Sequence, residues 1–187
     1  MRLPPQAYRP VINVPYAEET MHGFEYQAAI HMMMEGMLAE GTELIEAVRE
    51  RYDDERRNPW NEFECGSNYA RSMASYAVIP ALSGFQFDAT RGMIGFFPLT
   101  HVDTGMFRCP WSLDSGWGEV EILGGDVMLR VLGGCLFLHT LRLPFLREVA
   151  VMKADGQVCE VRFDGNECVL NEPVRVVNQA YIQGYVK

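Results

Sequence analysis

From Thr20 to about Gly84 the apolar residues recur at steps of three and four, the spacing of amphipathic helices, on a background rich in Met, Ala, Glu and Leu. "HGFEYQAAIHMMMEGMLAEG" reads as one helix that Gly36 or Gly41 can end. "TELIEAVRERYDD" reads as the next, with Thr42 as N-cap and Leu44, Ile45 and Val48 on one face. A third is predicted from about Ser67, as its N-cap, to Ser83 before Gly84, with Pro80 ending or kinking its last turn.

After Arg91 the pattern changes to short apolar runs punctuated by Gly, Asp, Asn and Pro, as strands and turns require. "MIGFFPL", "GEVEIL", "DVMLRVL", "CLFLHTLRL", "EVAVMKA", "VCEVRF", "ECVL" and "PVRVVN" are eight candidate strands, with Asp-Gly hairpin signals in "KADGQV" and "RFDGNE". The expected fold is α+β. Residues 1–19 form an extended coil, 20–90 a helical segment, and 91–187 an antiparallel, jelly-roll-like β-sandwich.

Composition narrows the function. A net charge of -9 over 187 residues repels a phosphate backbone, so nucleic acid is excluded as a partner. Five cysteines, odd in number and never in a CxxC pair, point to a reducing, cytoplasmic location. The start "MRLPPQAYRP" lacks the apolar stretch of a signal peptide, and the longest apolar run, "VLGGCLFLHTLRLPF", is broken by Gly, His, Arg and Pro, which gives no membrane span. A chain that opens in proline-rich coil can begin inside a larger protein. The four histidines, at 22, 31, 101 and 139, have no partner at metal-ligand spacing, and no cofactor is expected.

The informative stretch is "RRNPWNEFECGSNYARSMASY". Trp60, Asn61, Glu62 and Glu64 occupy a loop before a helix, and Arg71 sits among Tyr69, Ala70, Met73, Ala74 and Tyr76, where little else is charged. Glu62 and Arg71 lie nine residues apart, so a chain that folds back aims both at one place. A carboxylate and a guanidinium together accept from and donate to vicinal hydroxyls, and an indole stacks on a sugar ring. The alternative is a structural ion pair with Trp60 as a loop anchor.

These segments resemble the last helices of the catalytic (α/α)6 barrel of glycoside hydrolase family 116, the family of non-lysosomal glucosylceramidases and bacterial β-glucosidases. Glu19, Gly23 and Tyr26, then Ala28, Ala29, Met32 or Met33, and Glu35-Gly36, fit one family frame. Glu62 and Arg71-Ser72 match, in type and spacing, a family glutamate and arginine that bind glucose hydroxyls. The resemblance implies a carbohydrate ligand, held by Glu62 and Arg71 and bordered by Glu19 and Trp60. Met21 stands where the family has a tryptophan, and Asn61 where it has a proline before the glutamate. The match runs from Glu19 to Gly84 and does not extend into the strand-rich remainder.

Retaining hydrolysis needs two carboxyl groups about 5 Å apart. The family supplies both from segments upstream of those matched here, so the chain is expected to be inactive alone. Glu62 and Glu64, two residues apart, do not share a helix face. Helices cut from a barrel should expose apolar surface, which a missing N-terminal catalytic segment or a second copy of the chain would cover. The alternative to a glycosidase fragment is a free-standing carbohydrate-binding or oligomerisation module. Cys65 reads as a buried structural thiol, the glycine pairs of "ILGGDV" and "VLGGCL" as turns or bulges, and "MMMEGM" as core packing. Trp111 and Trp117 read either as core or edge aromatics or as a sugar-stacking platform.

Overall fold

The computed structural model describes residues 21–52, 71–99, 105–124, 126–143 and 148–185. The chain divides into two compact units, Met1–Val78 and Ile79–Lys187.

In the first unit α1 (His22–Met34) and α2 (Leu38–Glu50) form a helical hairpin. Gly36, at φ +85°, ends α1: Met37 N–H donates to Met32 O at 2.8 Å and Gly36 N–H to Met33 O at 3.1 Å, the paired bonds of a Schellman cap. Gly41 does not terminate a helix. It lies inside α2, where a Cβ would come within 2.7 Å of Ala29 O, so it sets the close crossing of the two helices. Thr42 is likewise interior, and its Oγ1 donates back to Leu38 O at 2.8 Å. The expected N-cap is therefore corrected, because Gly36 stops α1 early enough for α2 to begin four residues before Thr42. One face of α1 is buried through His22, Tyr26, Ala29 and Met33. Arg71–Ala77 form a 3-10 helix.

The expected third helix is thus split, with α3 (Val78–Ser83) following the 3-10 turns. Pro80 sits in the first turn of α3, where its missing N–H costs no helical bond. Gly84, at φ +58°, closes α3 with a second Schellman pair, Phe85 N–H to Pro80 O at 3.1 Å and Gly84 N–H to Ala81 O at 3.3 Å. Ser67 lies outside the described residues.

The strands are β1 (Gln86–Asp88), β2 (Met93–Gly95), β3 (Met106–Ser112), β4 (Gly116–Leu123), β5 (Asp126–Gly134), β6 (Leu136–Arg142), β7 (Glu148–Ala154), β8 (Gln157–Cys159), β9 (Val161–Asp164), β10 (Glu167–Val176) and β11 (Gln179–Tyr185). They build a five-stranded sheet in the order β1-β2-β6-β10-β9 and a six-stranded sheet in the order β3-β4-β5-β11-β7-β8. Every pairing is antiparallel except β2 with β6. Ile94, Leu138, Leu141 and Leu170 from one sheet meet Val120, Val127, Leu129 and Met152 from the other in a shared core, which makes the unit a β-sandwich. The chain is α+β, with a helical segment followed by a sandwich.

The described residues hold eleven strands where eight were expected. β3 was hidden by Pro110, which is tolerated because β3 lies at the edge of its sheet. β11, "QAYIQGY", is too polar to announce a strand, yet it pairs with both β5 and β7. "ECVL" and "PVRVVN" belong largely to one strand, β10, whose register shifts between Val169 and Val174 so that four residues oppose His139 alone. The described glycines of the two pairs behave as read. Gly124 begins the β4–β5 turn, and Gly134, at φ +75°, turns the corner where the chain leaves one sheet for the other.

Candidate functional site

Glu19, Trp60, Glu62, Glu64 and Cys65 lie outside the described residues, and of Arg71 the backbone alone is described, opening the 3-10 helix. Around Arg71 the surface differs from the sequence picture. Met73 is 64% exposed and Tyr76 73%, so the 3-10 helix does not hold its apolar residues in a core.

The helical hairpin carries its own polar cluster. The Tyr52 hydroxyl and His22 Nδ1 lie 3.1 Å apart and buried, their rings tilted at 4.8 Å between centroids. The Arg51 guanidinium donates to Glu25, which ties the end of α2 to the start of α1. Burial pushes the Tyr26 hydroxyl pKa up, against the opposing charges of Arg49 and Arg51. All of these contacts close the hairpin. His31 is on the surface, 3.7 Å from Glu35.

In the sandwich unit a cleft of about 570 Å³ opens beside β7, β8 and β10, lined by Asp155, Cys159, Glu160, Asn171, Glu172 and Arg175. Part of its polar lining is committed. Glu160 accepts from Asn171 Nδ2 at 3.1 Å, and the Asp155 carboxylate accepts three backbone N–H groups, from Val177, Asn178 and Gln179, each at 3.0 Å. Among the described residues no three His, Cys, Asp or Glu side chains are grouped to hold a metal ion.

The two remaining tryptophans separate. Trp111 points inward and is 3% exposed, whereas Trp117 stands on the outer face of the six-stranded sheet and is 54% exposed. Its neighbours in register are small, Ser112 on β3 and Gly133 on β5. A Cβ on Gly133 would come within 2.5 Å of the Trp117 Nε1, so the indole lies down over that glycine. Two residues along β4, Glu119 accepts from Arg108 Nε at 2.9 Å and from Arg130 Nη1 at 2.7 Å, with Glu121 3.6 Å from the same Arg130 nitrogen. Hydrogen bonds from Arg108 and then Arg130 hold the Glu119 carboxyl below the usual range. It is therefore an acceptor, not a proton donor.

The alternation in "GWGEVEIL" already puts Trp117, Glu119 and Glu121 on one face, and this was the signal available in the sequence. It could not be used without β3 and the Arg108 it carries.

No protein-family model matches the chain, and no curated protein matches it. Among solved structures, a GH127 β-arabinofuranosidase aligns with a TM-score of 0.36 and 13% identity over 68% of this chain and 22% of its own. The chain thus spans about a fifth of that protein's length. A superposition this loose transfers neither topology nor activity.

Proposed function

We propose that this chain is the C-terminal part of a glycosidase resembling glycoside hydrolase family 116 and acting on β-glucosides or related glycosides. Glu62 and Arg71 orient the glycone, Glu19 and Trp60 border the site, and the catalytic carboxylates belong to segments outside the chain. The observation that carries the reading is the match in type and spacing of Glu62 with Arg71-Ser72, downstream of the Glu19, Gly23 and Tyr26 frame. The helical hairpin supports it. α1 and α2 bury one face against each other, yet Phe24, Met34 and Met37 remain exposed, as helices do when the rest of a barrel, or a second copy, is meant to cover them.

The test is calorimetric titration of the chain with methyl β-glucoside, beside an assay for hydrolysis of an aryl β-glucoside. Binding without hydrolysis is expected, weakened at least tenfold in Glu62→Gln. Hydrolysis by this chain, or binding indifferent to Glu62→Gln, would overturn the proposal.

A further inference from the structure

The outer face of the six-stranded sheet carries a feature that the glycone reading does not use. We infer that Trp117, with Glu119 and Arg130 beside it, is a docking platform for a neutral oligosaccharide, separate from any site built by Glu62 and Arg71.

An exposed indole on an open antiparallel sheet is a liability unless something covers it. Here the strand is shaped around the ring. The missing side chain of Gly133 makes the room that the indole occupies, Ser112 is small on the other side, and the β4–β5 register shifts between Trp117 and Gly118. Successive outward residues of a strand are about 7 Å apart, so a pyranose stacked on the indole brings its rim hydroxyls over the row that holds Glu119 and Arg130.

Charge decides which ligand fits. Arg108 and Arg130 balance Glu119 and Glu121 on a chain whose net charge is -9. Around Trp117 these four side chains therefore call for no counter-ion, which argues against a charged partner at the indole itself. The ladder still keeps capacity for hydroxyls, because Arg108 is 61% and Glu121 32% exposed while paired. Gln179 is the register partner of Arg130 and, with Met128, Lys153 and Gly156, lines a depression of about 260 Å³ on the same face. From β4 through β5 and β11 to β7 is three strand spacings, about 14 Å, a track suited to several linked rings and not to one.

The three tryptophans serve as internal reporters, Trp60 for the proposed glycone site, Trp111 for the sandwich core and Trp117 for the sheet face. The experiment is an NMR titration of the whole chain, ¹⁵N-labelled at tryptophan, with cellotetraose, each indole N–H signal being assigned by its loss in a Trp→Phe variant. Only the choice of a glucose oligomer rests on the function proposed above.

The expected result is a saturable shift of the Trp117 signal with Trp111 unmoved. Calorimetry should show affinity at least tenfold weaker in Trp117→Ala and severalfold weaker in Arg130→Gln, whose Trp117 signal shows that the sheet is intact. A Trp60 signal that moves alone would overturn the platform and leave the glycone site standing, while a Trp117 signal that moves alone would do the reverse. If neither moves, both fall. A Trp117 signal that responds to protein concentration instead of sugar would make the occupant a second copy of the chain and overturn the oligosaccharide.

Discussion

Replacing Asp155 separates the backbone and side-chain work of a single turn residue. The β7–β8 hairpin turns on Asp155-Gly156, both at positive φ, +47° and +82°, so the Asp-Gly signal in the sequence is a type I′ turn in the structure. Its carboxylate also accepts the N–H groups of Val177, Asn178 and Gln179, clamping the turn between β10 and β11. Discounted for an exposed position, three such bonds contribute about 2 kcal/mol together. Asp155→Ala loses them and adds about 1 kcal/mol of left-handed strain. Asp155→Gly loses the bonds but relieves the strain. Asp155→Asn keeps one acceptor oxygen and a residue tolerant of positive φ, and should cost about 1 kcal/mol.

The assay is denaturant unfolding of the three variants, with thermal melting in parallel. For a unit of this size the alanine variant should lose roughly 12 °C. Asparagine as damaging as alanine, or alanine within about 0.5 kcal/mol of the parent, would refute the reasoning.

The same contact dictates a pH dependence. Burial acts to raise the Asp155 pKa, but the three backbone N–H groups outweigh it and hold the carboxyl below its ordinary value. A group depressed on folding stabilises above its unfolded pKa of about 4 and stops doing so as the pH falls through the lower folded value. The stability gap between parent and Asp155→Asn should therefore be constant near neutrality and close below about pH 4.

The two cap glycines predict unequal costs. An alanine Cβ at Gly36 meets nothing within 4 Å, whereas at Gly84 it would lie 2.1 Å from Phe97 O. Chemical unfolding should show about 1 kcal/mol lost in Gly36→Ala, from positive φ alone, and about 3 kcal/mol or more in Gly84→Ala; equal losses would contradict the geometry. Burial, with a smaller contribution from the charge of Cys159, pushes the Cys168 thiol up to about 11. At roughly pH 8 only about one part in a thousand of Cys168 is thiolate, so peptide-resolved alkylation should leave it unmodified until the sandwich unfolds. Rapid labelling in the native protein would show that the site is open.

How much could be read in advance depended on how local each cause was. Gly36 and Gly84 ended helices because positive φ is a property of the residue, and Asp155-Gly156 turned for the same reason. Thr42 was misread because its role depends on where the previous helix stops, and a cap residue one turn too late simply bonds back into its own helix. The core face of β4 was legible from alternation over "GEVEIL", whereas Trp117 lay outside that predicted strand and its side was left open. The candidate glycone residues were legible as types and spacing alone.

Sequence by itself determined the class, helices followed by strands, because periods of three to four and of two are set by backbone geometry within a few residues. It also set the residue types and the spacing on which the proposed glycone site rests. Only the tertiary structure decided that β11 lies between β5 and β7, that Pro110 is harmless at an edge, and that Arg108, Glu119 and Arg130 come together beside an exposed indole. Those outcomes rest on pairings between distant strands, where a neighbour's register and not a residue's own propensity fixes what each side chain faces.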